Sequence, residues 1–185
     1  LQPDTDTFLV IATSTTAMFK VAGGRWRDVI IMAINGILLL ATLAISRPYI
    51  KDRLTTFINP EADPLGSGYQ INQSLIAVGS GGLTGRGFGQ SIQKLVYLPE
   101  PTSDSVFAVY AEEFGFIGSF ILISLLSFFT FRGYRIASLS KDLFGMLLVV
   151  GIMTVIVTQA FLNIADMLSL APLSGLPLTF IRHGG

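Results

Sequence analysis

The sequence predicts an all-α fold: a polytopic bundle of transmembrane helices with a large outer loop that contains interfacial and re-entrant segments. Three observations predict it. Hydrophobic residues make up 51% of the 185-residue chain and charged residues only 13%, where an ordinary soluble domain carries about 25% charged residues. Mean hydropathy is +0.64. Several apolar runs approach the ~20 residues that a helix needs to cross a bilayer. Net charge is zero, which argues against a nucleic-acid footprint. The chain has no cysteine, so disulfides and thiolate metal sites are excluded.

Four segments read as spans. The first covers residues 7–22 and is short and rich in Thr and Ser; the second, 29–45, is more uniformly apolar. The third covers 106–131 and the fourth 143–168. Backbone groups find no water in hydrocarbon, so all four are expected to be helices. Lys20, Arg25 and Arg27 lie between the first two, and Arg132, Arg135 and Lys141 between the last two. The positive-inside rule sets both links in the cytoplasm. Residues 46–105 then form the outer loop, and Asp104 lies on the outer face.

Within that loop, Ile50, Leu54, Phe57 and Ile58 recur at helical spacing over 47–59, the pattern of a helix lying along the headgroups. A cluster of turn residues follows at 59–68. Residues 69–78 are apolar but too short to span, and run into the glycine-rich segment 79–89. That order suggests a re-entrant element packed on protein. The chain starts without Met and stops soon after an apolar run; it is expected to be a fragment of something longer.

Carboxylates in an apolar setting are the first candidates for chemistry, because each costs roughly 2.5–3.5 kcal/mol at the centre of a membrane helix. Asp104 has two readings: an N-cap of the helix that follows, or a general base that removes a proton from a hydroxyl nucleophile. Glu112 lies eight residues further on, ~12 Å away at 1.5 Å per residue, beyond the roughly 5–9.5 Å separation of paired glycosidase carboxylates. Glu112 and Glu113 are therefore expected to face the bundle interior, bonding polar groups or orienting basic ones; a proton relay is the alternative. The glycine-rich segment fails the P-loop pattern, since Phe88 and Gly89 follow Gly87. It reads either as a tight turn that lets helices approach or as an anion nest beside Arg86. Arg47, Lys51, Arg53, Arg86 and Lys94 make the loop basic, suited to anionic lipid or to a lipid-linked pyrophosphate. His183 is the only histidine, so a zinc site is not expected.

Several motifs occur in order along the chain: Arg53-Leu-Thr-Thr-Phe-Ile-Asn-Pro60, Asp63-Pro-Leu-Gly-Ser-Gly-Tyr-Gln70, the run from Ser74 to Gly89, Gln93-Lys94, Tyr97-Leu-Pro-Glu100, Ala111-Glu-Glu-Phe-Gly-Phe-Ile-Gly118 and Gly175-Leu-Pro-Leu-Thr-Phe180. In these the chain resembles, nearly end to end, the SEDS family of shape, elongation, division and sporulation proteins, which includes FtsW, RodA and SpoVE. The Ser91-Ile-Gln-Lys94 wording is closer to FtsW. The resemblance implies a peptidoglycan glycosyltransferase that polymerises lipid II during cell division. It implies Asp104 as the catalytic base for the acceptor sugar hydroxyl, and Arg53, Gln70, Arg86, Gln93, Lys94, Glu100 and Glu112 as candidate substrate-binding residues.

The same resemblance implies the bacterial cytoplasmic (inner) membrane, multi-pass, with the active site on its outer face. Implied partners are lipid II, undecaprenyl pyrophosphate, a class B penicillin-binding protein, other divisome proteins and membrane lipids, with no nucleic acid. No protein-held metal is expected and no cofactor is required by the sequence; a divalent cation (Mg²⁺ or Mn²⁺) bridging Asp104 and substrate phosphates is compatible with it. The chain departs from the family at Thr102-Ser103-Asp104-Ser105, where His-Thr-Asp-Phe is usual, at Arg182-His183, and at Asp166, where a small or apolar residue is usual. Two other functions fit the residues: a lipid II flippase or a permease using Glu112, Glu113 and Asp166 as a proton path, and a non-catalytic division scaffold.

Overall fold

The computed structural model describes residues 5–46, 53, 55–59, 63, 66–93 and 104–180. These residues form helices and connecting turns with no strand among them, so the all-α class read from the sequence is the one observed. The helices are α1 (Thr5–Val21), α2 (Trp26–Ser46), α3 (Ser67–Gly81), α4 (Val106–Leu139) and α5 (Leu143–Met167). Of these, α4 and α5 are long and apolar enough to cross a membrane. The chain divides into two compact units, Leu1–Asp52 with Ser127–Thr158 and Arg53–Leu126 with Gln159–Gly185.

In the first unit the helices start and stop where the sequence supplies turn chemistry. Gly23 takes a positive φ of 97° after α1, and Lys20 Nζ donates to the Gly24 carbonyl while lying over the Trp26 ring. Asp142 Oδ2 accepts from the Gly145 N–H at 2.8 Å and so caps the start of α5. Large apolar side chains point outward: Trp26, Ile30, Ile34, Ile37 and Leu38 on α2, and Phe128, Phe131 and Ile136 on α4. Inside, small residues meet methionines. Gly133 packs on Met153, and Gly151 on Met18.

The second unit holds the hydrophobic core, built on Ala77, Phe107, Ala108, Leu122, Leu126, Ala160, Ile164, Met167 and Leu178. Helix α3 starts where Asp63 accepts the N–H groups of Gly66 and Ser67. Its buried Ser74 hydroxyl reaches Met167 Sδ. Much of the expected headgroup helix at 47–59 lies outside the described residues. Residues 55–58 are helical, with Thr56 buried and Ile58 81% exposed.

The span read as 106–131 extends to Leu139 and is broken at Gly115 (φ 65°, ψ −163°), a conformation that L side chains rarely adopt. In an unbroken helix, Phe116 and Ile117 would donate to the carbonyls of Glu112 and Glu113. Here Phe116 N–H donates to Gly82 O and Ile117 N–H to Leu83 O. The vacated carbonyls of Glu112 and Glu113 accept from Arg86 N–H and Gly87 N–H, both at 3.0 Å. The glycine-rich loop thus supplies new backbone partners for these four groups. The approach needs glycine on both sides, because a Cβ at Gly81, Gly85 or Gly115 would overlap facing backbone. An unpaired backbone group at membrane depth costs several kcal/mol, so break and loop are one device.

Candidate functional site

Five of the predicted residues fall into two clusters of the second unit: Arg86, Gln93 and Glu112 in one, Gln70 and Asp104 in the other. Glu112 organises one of them. It is fully buried, and its Oε2 accepts from Ser91 Oγ at 2.6 Å and from Gln93 N–H at 3.3 Å. Its Oε1 accepts from Ile92 N–H at 3.2 Å, and Arg86 Nε lies 3.6 Å from the same atom. The Arg86 side chain is still 39% exposed. Glu112 therefore fixes the path of residues 86–93 and holds the stem of Arg86 while leaving part of its guanidinium accessible. This is a positioning geometry. Glu113 is also buried, and its Oε1 has no hydrogen-bond partner among the described residues.

Asp104 organises the other cluster. It is half-buried, in the turn just before α4. The carbonyl of Ser105 accepts the N–H groups of Ala108 and Val109, so Ser105 takes the N-cap position and Asp104 lies one residue outside it. Ser105 is fully buried, and its Oγ accepts from Gln70 Nε2 at 3.2 Å. This contact brings Gln70 beside the Asp104 turn. Asp104 Oδ2 lies 3.5 Å from the place a Cβ would occupy on Gly175, which itself has φ 68°.

Two α5 side chains hold this neighbourhood. Asn163 Nδ2 donates to the Asp104 carbonyl at 2.6 Å and to the Leu176 carbonyl at 2.7 Å. One turn on, the buried Asp166 accepts the Ser174 N–H at 2.9 Å and the Ser174 hydroxyl through Oδ2. Sequence reading did not single out Asn163. The available signal was an amide in the otherwise apolar run Phe161-Leu-Asn163-Ile164, since polar groups at membrane depth are kept for a use.

Of the remaining predicted residues, Arg53 is half-buried. Lys94 and Glu100 lie outside the described residues, as do Thr102, Ser103, Arg182 and His183. No group of three or more His, Cys, Asp or Glu side chains that could hold a metal occurs among the described residues. A Mg²⁺ that shares substrate phosphates needs only one or two protein carboxylates, and the partly buried Asp104 is compatible with that smaller demand.

The FtsW/RodA/SpoVE family model, described as cell cycle protein, matches residues 1–185. The chain belongs to this family. Stage V sporulation protein E of Bacillus subtilis (strain 168) is 44% identical over 184 residues, covering 100% of this chain and 50% of that protein. A probable peptidoglycan glycosyltransferase FtsW of Saccharophagus degradans is 41% identical over 188 residues, covering 100% and 49%. A solved chain from work on the structural coordination of polymerization and crosslinking by a peptidoglycan synthase complex superimposes with a TM-score of 0.76. That chain is 25% identical, and the match covers 99% of this chain and 51% of it. The chain spans about half the length of the curated relatives it matches. The family that the motifs resemble is therefore the one to which the chain belongs, and with its apolar helices this FtsW/RodA/SpoVE member is a membrane protein.

Proposed function

We propose that the whole protein is a peptidoglycan glycosyltransferase that polymerises lipid II on the outer face of the bacterial cytoplasmic membrane during division, with Asp104 as general base. One observation carries the assignment of the base. Across the two clusters, Glu112, Glu113 and Asp166 are buried, whereas Asp104 is only partly buried, in the turn at the mouth of α4. A base must reach the proton it takes. Names such as probable peptidoglycan glycosyltransferase FtsW among the relatives support the same reading.

In the proposed step the Asp104 carboxylate takes the proton of the acceptor sugar's 4-hydroxyl. The oxygen forms a bond to the donor's anomeric carbon. The bond from that carbon to the pyrophosphate oxygen breaks, and undecaprenyl pyrophosphate leaves with the electron pair. Arg86, held on Glu112, supplies positive charge for the pyrophosphate, and Arg53 adds to it from the same loop. A divalent cation, when bound beside Asp104, supplies further neutralisation of the leaving group. A class B penicillin-binding protein and other division proteins are the proposed partners.

The test is lipid II polymerisation by the full-length protein carrying Asp104→Asn. Removing a general base lowers turnover by about 10²–10⁴-fold, and that loss at normal expression is the expected result. Retained polymerisation would sink the assignment. Lipid II translocation that disappears together with polymerisation would favour the flippase reading over a separate catalytic role.

A further inference from the structure

The geometry points to Asn163 as the positioning residue of the catalytic turn, an inference that rests on the reading of Asp104 as base. An amide nitrogen carries two N–H donors. Asn163 gives both to carbonyls in different segments, that of Asp104 and that of Leu176. Leu176 follows Gly175, the residue against which the Asp104 carboxylate rests. One side chain thus references the base's own backbone and the wall beside its carboxylate to the same point on α5. That point is rigid, since Ala160, Ile164 and Met167 around it are all buried in the core. Asp166 fastens Ser174, on the other side of Gly175, to the next turn of the same helix.

A second observation is consistent with positioning as the use of this amide. Asn163 is 1% exposed, and its Oδ1 has no hydrogen-bond partner among the described residues. A buried acceptor without a partner costs stability, which offsets much of what the two donated bonds contribute. Only the donor half is used, and no other common side chain of this size supplies two donors from one atom. Asp has none when ionised, and Ser has one.

The experiment uses the full-length protein with its synthase partner, and measures lipid II polymerisation across substrate concentration beside the thermal unfolding midpoint. Asn163→Asp keeps the shape but turns an acceptor toward two carbonyl oxygens; kcat is expected to fall about 100-fold, the scale of a small misplacement of a catalytic group, with KM nearly unchanged. Asn163→Ser keeps one donor and is expected to fall between that variant and the parent. A kcat that falls in this order, by more than the loss of folded protein, supports the inference. Unchanged kcat in both variants, a change confined to KM, or a loss no greater than the loss of folded protein overturns it. If Asp104→Asn abolishes turnover while both Asn163 variants retain it, only this inference fails. If Asp104→Asn retains turnover, the assignment of the base fails and this inference with it.

Discussion

The two units treat polar groups in opposite ways. Among the described residues, the first unit buries only two polar side chains, Ser14 and Thr154. Both are uncharged hydroxyls: Ser14 donates to Gly151 O on another helix, and Thr154 to Val150 O while pairing with Tyr134. The second unit buries Glu112, Glu113, Asp166, Asn163 and a set of serines. Here buried carboxylates and an amide are the bonding groups, as in Ser91 to Glu112 and Asn163 to Asp104. The first unit is largely apolar filling, with two buried hydroxyls and no buried charge among its described residues. The second keeps costly groups and arranges them, which is the pattern of a site.

Two sets of buried-contact glycines also differ between the units. In the first unit, a Cβ on Gly133 or Gly151 would meet the flexible side chain of a methionine, which can move at low cost. In the second, a Cβ on Gly81, Gly85 or Gly115 would meet backbone, which cannot.

The largest test of this contrast is Glu112→Leu. It removes the acceptor of Ser91, Ile92 and Gln93 and the counter-charge of Arg86. Breaking a buried charge network of this kind costs about 3–5 kcal/mol, so the unfolding midpoint should drop sharply and turnover should be lost. A midpoint close to the parent's would show that the loop path does not depend on Glu112. Next come paired Gly→Ala changes. Gly85→Ala, at φ 80° against a backbone carbonyl, should cost about 1–3 kcal/mol or more. Gly151→Ala should be near neutral, because the roughly 0.5–1 kcal/mol gained by replacing a helical glycine offsets the shift of Met18. Equal losses in thermal unfolding would erase the distinction between the units. The smallest effect is expected at Ser14→Ala, about 0.5–1.5 kcal/mol for one hydroxyl bond. A larger loss there would show the first unit to depend on polar contacts after all.

Several features were legible because they are local. Hydropathy gave the apolar segments, and Asp142, Asp63 and Gly23 stand where caps and turns need them. The break at Gly115 was not foreseen, since an isolated glycine in an apolar run usually continues the helix. Its partner loop lies some thirty residues earlier in the chain. The sequence separates Asp104 on the outer face from Glu112 in the interior, bonding polar groups or orienting basic ones, but it does not show which segment Glu112 holds. Nothing in a sequence says which of several carboxylates a loop will enclose.

By itself the sequence determined the all-α class, the membrane setting and the family, because composition, period and motif order are properties of the chain in one dimension. The tertiary structure alone decided that residues 82–87 take over the backbone bonds lost at Gly115. It also decided that Glu112 is spent on holding a loop, and that Asn163 ties Asp104 to Leu176 across 59 and 13 residues of chain. The physical reason is that a buried donor or acceptor must find a partner wherever one is within reach. For Asn, Asp, Glu and Ser that partner is set by packing, not by neighbours in sequence.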